Sequence, residues 1–215
     1  MNALVLITLL AVTVAAAQPQ IVLEHVSGRV AYAVSEAGAQ TPVVGSLSLD
    51  AGDFAITRAR SAGVLLLPDS SAVSLGEATR VRVGAFLMAH ELATMRVSLM
   101  DGALHFAVRH PGGGRADYVF TTPTAQIAVR GTEGMIAVLP GETIVACVHG
   151  TNTDTEVTSP DGVRTYLPPG MTLRVRVGQG GHIERAMNAG INADRFAQFA
   201  GIVAKNHQSR MSGHP

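Results

Sequence analysis

Residues 121–138, Thr-Thr-Pro-Thr-Ala-Gln-Ile-Ala-Val-Arg-Gly-Thr-Glu-Gly-Met-Ile-Ala-Val, carry the most information about the fold of this chain. The segment has two strand-like halves, Gln126–Arg130 and Met135–Val138, and a Gly-Thr-Glu-Gly corner separates them. Alternation of side chains between two faces is typical of a half-buried β-strand, and glycine supplies the backbone freedom that a tight corner needs. The segment therefore predicts two short strands joined by a turn, with Arg130 immediately before the turn.

Similar strand-like runs recur on both sides of this segment. The 215 residues include 23 Gly and no Trp, and only 15% are charged and 4% aromatic, which is typical of short β-strands joined by tight turns. Turns are predicted at 68–71, 100–102 and 160–162; the Asp-Gly pair of the second predicts a tight hairpin. Residues 21–183 are therefore predicted to form one all-β domain of many short strands. Both a sandwich and a stack of solenoid-like sheets fit their spacing.

The pattern T-x-P-x-A-x-V-x-V-R-G-T resembles the signature of the FecR-type domain, a bacterial periplasmic β module best known from transmembrane sigma-factor regulators. Met135 and Ile136 stand where that family usually has a Phe followed by a polar residue. Residues 52–57 and 61–75 resemble two earlier motifs of the family, except that Asp-Ser-Ser at 69–71 replaces the usual Asp-Gly-Ser. The resemblance implies a β fold and a non-catalytic role in envelope signalling or binding.

The first 17 residues predict a secretory signal. An uncharged apolar run at 4–14 precedes three alanines at 15–17, and small residues of this kind mark a cleavage site. The run is shorter than the roughly 20 residues of a membrane span; a retained N-terminal anchor is the alternative. The expected organisation is a signal peptide at 1–17, a FecR-like β domain at 18–185, and a C-terminal helix with its tail at 186–215. This predicts a stand-alone, periplasmic or secreted member without the anti-sigma region or the transmembrane helix of the best-known relatives, and without a membrane span in the mature chain.

Arg130 and Thr132 are the candidate binding residues within the β domain. Burying an unpaired guanidinium is costly, so Arg130 is expected to be either exposed or paired. Its planar fork suits a partner's carboxylate or a carbonyl-rich loop. The alternative is a structural role in which the guanidinium bonds backbone carbonyls of adjacent turns and Thr132 caps the corner.

Signals for chemistry are weak along the whole chain. The eight histidines are scattered without ligand spacing, and the single cysteine, Cys147, cannot form an internal disulfide. The 16 basic and 16 acidic residues balance, so no basic surface for nucleic acid is indicated. We therefore predict no catalytic residue, no metal, no cofactor and no nucleic-acid partner.

Residues 192–205 differ in character from the β domain. Phe196, Phe199, Ile202 and Val203 recur at helical spacing, and Asn192 suits the N-cap position. They predict a C-terminal amphipathic helix, with Phe196, Phe199 and Ile202 as its binding residues. This helix either docks on the β surface of its own domain or inserts into the groove of a partner.

Taken together, these patterns predict an exported, non-catalytic module that acts through protein–protein contacts in the bacterial envelope. Another envelope protein is the expected partner. The alternative is a glycan-binding protein or hydrolase of the envelope, whose site would be built from scattered turn carboxylates and histidines.

Overall fold

A computed structural model describes residues 20–109 and 114–190. These residues form seventeen strands and a short 3-10 turn at Gln179–Gly181. The strands are β1 (Ile21–Ser27), β2 (Val30–Ala33), β3 (Thr41–Pro42), β4 (Ser46–Leu49), β5 (Phe54–Thr57), β6 (Ala62–Leu66), β7 (Ala72–Leu75), β8 (Arg80–Ala89), β9 (Leu92–Ala107), β10 (Arg115–Thr121), β11 (Gln126–Val129), β12 (Glu133–Leu139), β13 (Glu142–His149), β14 (Thr155–Thr158), β15 (Arg164–Tyr166), β16 (Met171–Val177) and β17 (Ile183–Ala189). The prediction of an all-β fold is confirmed.

Two predicted elements fall outside the described residues. They are the signal segment at 1–17 and the C-terminal helix with Phe196, Phe199 and Ile202. The expected boundary between residues 185 and 186 falls within β17, which runs from Ile183 to Ala189. Strand alternation is hard to read there, because every residue of β17 after Ile183 is exposed and the pattern has no buried face.

All strands belong to one hydrogen-bonded network, whose pairings divide into two ladders that share β9. The first ladder has the order β4-β1-β6-β7-β9-β12-β13-β16-β17. The second has the order β3-β2-β5-β8-β9-β10-β11-β14-β15. Among these pairings, β9 with β10 is parallel and the others are antiparallel. In both ladders, strands from the N-terminal part of the chain lie at one end and strands from the C-terminal part lie at the other.

The two ladders pack face to face around a common core. One cluster of buried side chains includes Leu65 and Ile136 from the first ladder and Val81 and Ile127 from the second. The rings of Phe106 and Phe120 stack across the interface, with centroids 5.0 Å apart. The sequence left open a sandwich or a stack of solenoid-like sheets. The two packed ladders form the layers of a sandwich. The chain adds strands to the two ladders step by step, as in a solenoid.

The long strand β9 passes from one ladder to the other at Gly102. Residues 92–101 pair with β8, whereas residues 102–107 pair with β12. The hairpin predicted at 100–102 is therefore wrong, because the strand continues through this point. Gly102 has φ 84°, and a Cβ atom there would lie 2.4 Å from Thr79 Oγ1. Gly102 allows the strand to bend where it passes close to Thr79. Glycine serves such bends in strands as well as turns between strands, and the sequence alone does not distinguish the two.

The turn predicted at 68–71 is confirmed between β6 and β7. The amide of Ser70 donates to the carbonyl oxygen of Leu67 at 3.1 Å. Ser70 has φ 67°, in the left-handed region that costs an L-residue about 1–2 kcal/mol. It stands at the position where the FecR-type pattern has glycine.

Replacing Ser70 with glycine is expected to raise the free energy of unfolding by roughly 0.5–1 kcal/mol. Relief of the left-handed strain exceeds the added entropy of the unfolded chain, which opposes it by about 0.5–1 kcal/mol. Urea denaturation of the two proteins measures the difference. Ser74→Gly on β7 is the matched control and should destabilise, since β7 is extended; equal effects at both positions would contradict the strain argument.

Candidate functional site

The corner at 130–132 connects β11 of the second ladder to β12 of the first. The Arg130 amide donates to the carbonyl oxygen of Asp154 at 2.9 Å, and Gly131 turns the chain with φ 85°. The Arg130 side chain is exposed. Within the part of the chain that the structure describes, it makes no hydrogen bond or ion pair. The backbone of Arg130 therefore holds the corner, and the guanidinium is available to a partner.

Thr132, the second candidate binding residue, packs in the interior. It is buried, and its Oγ1 lies 3.7 Å from the Sγ atom of Cys147 on β13. Thr155 Oγ1 donates to the same sulfur at 3.7 Å. Gly150 approaches so closely that a Cβ there would lie 2.3 Å from Thr132 Oγ1. Thr132 and Cys147 thus fix the corner from inside, and the structure does not bring Thr132 to the surface beside Arg130.

A surface pocket of about 520 Å³ lies beside Arg130. We call it the Arg130 pocket; its lining residues are Leu92, Gly114, Arg115, Ala116, Asp117 and Arg130. The parallel pairing of β9 with β10 sets Arg115 against Leu92. Arg115 and Asp117 are exposed on either side of the buried Ala116, so both face outward from the second ladder.

The Arg130 pocket combines positive charge with apolar surface. Arg115, like Arg130, forms no ion pair with a described residue, so two guanidinium groups face one carboxylate, that of Asp117. Leu87 of β8, 58% exposed, pairs with Thr94 on the neighbouring β9.

Sequence reasoning missed Arg115 and Asp117. Their outward alternation was readable, but their proximity to Arg130 depends on strand pairing.

A polar network crosses the interior between the two ladders. Asp69 is only 2% exposed and accepts hydrogen bonds from the Tyr118 hydroxyl at 2.7 Å and the Ser71 hydroxyl at 2.9 Å. The Ser71 amide donates to its other oxygen at 3.0 Å, and the Arg109 amide donates to Ser71 Oγ at 2.9 Å. Burial raises the pKa of the Tyr118 hydroxyl well above its ordinary value, and the neighbouring Asp69 adds to this. Asp69 therefore anchors the β6–β7 turn to β10.

Three threonines form a second buried link between the ladders. The Thr143 hydroxyl on β13 lies 2.7 Å from that of Thr122 and 2.6 Å from that of Thr124. Thr122 Oγ1 also accepts from the Ala125 amide at 2.9 Å. This geometry explains the Thr-Pro-Thr-Ala part of the opening motif as a corner whose hydroxyls are satisfied in the core.

Histidine, cysteine, aspartate and glutamate side chains do not assemble in threes as a metal-binding group anywhere within 20–109 and 114–190. Across those same two ranges, the structure contains no helix with the length and apolar character needed to cross a membrane.

The described residues define a two-layered β domain whose recurrent motifs build corners and buried links. Residues 53–151 match the family model described as FecR protein. The match confirms that this part of the chain resembles the FecR family, as its sequence motifs predict. The matched segment runs from the start of β5 to the end of β13 and includes both halves of β9, the Asp69 network and the Arg130 pocket.

The fold also resembles that of two crystal structures of a candidate anti-sigma factor from Parabacteroides distasonis ATCC 8503. Their TM-scores are 0.53 and 0.51, and both are 18% identical to this chain. The likeness covers 69% and 67% of this chain but 65% and 64% of the other chains, so this chain spans slightly less than two thirds of their length. No curated protein matches the chain.

Proposed function

We propose that the chain is an exported, non-catalytic FecR-type module that serves signalling or binding through protein–protein contacts in the bacterial envelope. The match of residues 53–151 to the FecR family is the observation that carries this proposal. The description of the structural relative as a candidate anti-sigma factor supports a regulatory role. The apolar segment at 4–14 followed by three alanines supports export.

The contact surface that we assign to this function is the Arg130 pocket. Its unpaired guanidinium groups favour an acidic partner, because arginine binds carboxylates with two parallel hydrogen bonds. Leu87 is 58% exposed and lies two strands from Asp117 of the pocket, through Thr94 of β9. Protein interfaces commonly combine an apolar anchor with arginine.

Arg130→Ala is expected to weaken binding of the envelope partner by about tenfold or more, which corresponds to roughly 1.4 kcal/mol. The free energy of unfolding should change by less than about 0.5 kcal/mol, since the side chain is exposed and unpaired. Residues 18–215 would be used as bait in envelope extract, and the retained protein identified by mass spectrometry. Its affinity would then be measured against the wild type and each variant by calorimetry.

Arg29→Ala is the matched control. Arg29 is also exposed and precedes β2, which is five strand positions from β11 in the second ladder, roughly 24 Å away at the usual strand spacing. Equal affinities for the Arg130 and Arg29 variants would exclude the pocket as the contact surface. Retention of polysaccharide or peptidoglycan fragments without a protein would overturn the proposed function and favour the glycan alternative.

A further inference from the structure

Arginine side chains line the outer face of the second ladder on four neighbouring strands. They lie on β8, β9 and β10 and directly after β11, and each is next in sequence to a residue of the buried cluster. Since successive side chains of a strand point to opposite faces, all four point outward, and all four are exposed. We call this set the arginine strip; it consists of Arg82, Arg96, Arg115 and Arg130.

Strand pairing orders the arginine strip across the sheet. Arg82 lies opposite Ser98 of β9, two residues from Arg96, so Arg82 and Arg96 are roughly 8 Å apart at the usual strand spacing and rise. On the other side of β9, Arg115 lies opposite Leu92, four residues from Arg96 and roughly 14 Å away by the same measure. Arg96 therefore stands between Arg82 and the Arg130 pocket.

The arginine strip runs diagonally to the strands. Arg130 follows Val129, which lies opposite Tyr118 of β10. Arg82 and Arg130 are thus three strands and about four residues along the strand direction apart, a distance of roughly 20 Å. The strip is longer than the Arg130 pocket, which takes in only its last two members.

Positive charge is in excess along the arginine strip. At the outward positions of β8 to β11 between Arg82 and Arg130, the described residues include one carboxylate, that of Asp117. None of the four guanidinium groups forms an ion pair with a described residue, and Arg82 Nε donates to the Gly52 carbonyl oxygen at 3.4 Å. The chain has no net charge, so the excess belongs to this face rather than to the whole protein.

We propose that the arginine strip binds an extended acidic segment of the partner protein, whose carboxylates reach Arg96 and Arg82 as well as the Arg130 pocket. This inference rests on the proposed function and adds the chemistry and extent of the contact. Arginine binds a carboxylate with two parallel hydrogen bonds. Side chains on one face of an extended segment are roughly 7 Å apart, close to the spacing of Arg82 and Arg96, and six extended residues reach roughly 20 Å.

Peptide titration tests the strip without the partner in hand. Fluorescein-labelled decaglutamate, with decaglutamine as the uncharged control, would be titrated with the full chain by fluorescence anisotropy at about 10 mM ionic strength, where surface charges are weakly screened. We expect decaglutamate to bind and decaglutamine not to bind. Arg96→Gln and Arg82→Gln should each weaken decaglutamate binding about threefold, the size of one exposed ion pair.

Arg29→Gln is the control for net charge, because Arg29 is exposed and lies outside the arginine strip. It should leave the affinity for decaglutamate unchanged. All three substitutions are at exposed positions, so the thermal midpoint should move little, and circular dichroism of each variant checks that the fold is kept.

Three results would overturn the proposal. If Arg130→Ala weakens decaglutamate binding but Arg96→Gln and Arg82→Gln do not, the contact ends at the Arg130 pocket and the proposed function is untouched. Equal losses in these variants and Arg29→Gln would show that binding follows net charge alone. Absence of decaglutamate binding would exclude an acidic segment, and retention on phosphatidylglycerol vesicles would then assign the strip to an anionic lipid surface. Failure of the proposed function appears separately, in the capture from envelope extract.

Discussion

Gly102→Ala is expected to lower the free energy of unfolding by about 3 kcal/mol. Gly102 has φ 84°, which costs an L-residue about 1–2 kcal/mol. Its new Cβ would lie 2.4 Å from Thr79 Oγ1 and 2.6 Å from the Ala78 carbonyl oxygen, and relieving such overlap typically costs another 1–3 kcal/mol. Thr79 Oγ1 also exchanges two 3.0 Å hydrogen bonds with the backbone of Ala103, which the displacement would weaken. Urea denaturation followed by circular dichroism measures the loss.

Gly162→Ala separates the two causes. Gly162 has a nearly identical φ of 81°, but no atom lies within 4 Å of the position of its Cβ. This control should lose only the backbone component, about 1–2 kcal/mol. If both alanine variants lose the same stability, the close approach at Gly102 contributes nothing and β9 is less constrained at its crossing than the structure indicates.

Asp69→Ala is expected to cost about 4 kcal/mol. The substitution leaves the Tyr118 hydroxyl, the Ser71 hydroxyl and the Ser71 amide without their acceptor in a buried site. Each unsatisfied donor costs about 1–3 kcal/mol, and relaxation recovers part of the sum. Thermal and urea unfolding measure the loss, which should appear as a lower midpoint without a change in the urea dependence.

Two further variants test whether this loss of stability comes from the buried hydrogen bonds of Asp69. Tyr118→Phe removes one donor and keeps the other two, so it should lose about 1–2 kcal/mol. Asp53→Ala removes a carboxylate whose hydrogen bond, to the Asp50 amide at 3.0 Å, is exposed, and it should lose less than about 1 kcal/mol. A loss for Asp69→Ala no larger than that for Asp53→Ala would show that the buried network does not stabilise the packing of the two ladders.

Local sequence signals predicted the parts of this fold that depend on local chemistry. The turn at 68–71 follows from residues that bond their own backbone, and strand alternation marks the buried positions Ile127 and Val129 of β11. The Asp101-Gly102 pair wrongly predicted a hairpin, because the same pair suits both a hairpin and a bend. Only the pairing of residues 102–107 with β12, distant in sequence, decides between the two.

The candidate site was predictable only in part, for a related reason. The position of Arg130 before a glycine corner indicated exposure or pairing, and the structure shows exposure. The companions of Arg130 come from a parallel pairing of β9 with β10, which leaves no mark in the local pattern. Thr132 was indistinguishable from a surface threonine, since its burial is produced by Cys147 and Gly150.

The sharing of β9 has a mechanical consequence. A single backbone segment, residues 92–107, is hydrogen-bonded into both layers, so a force that slides one layer over the other acts on covalent bonds as well as on side-chain packing. The chain has a single cysteine and therefore no internal disulfide to resist such shear. Because β9 is hydrogen-bonded into both layers, its covalent backbone resists this sliding. This resistance does not depend on the redox state of the surroundings.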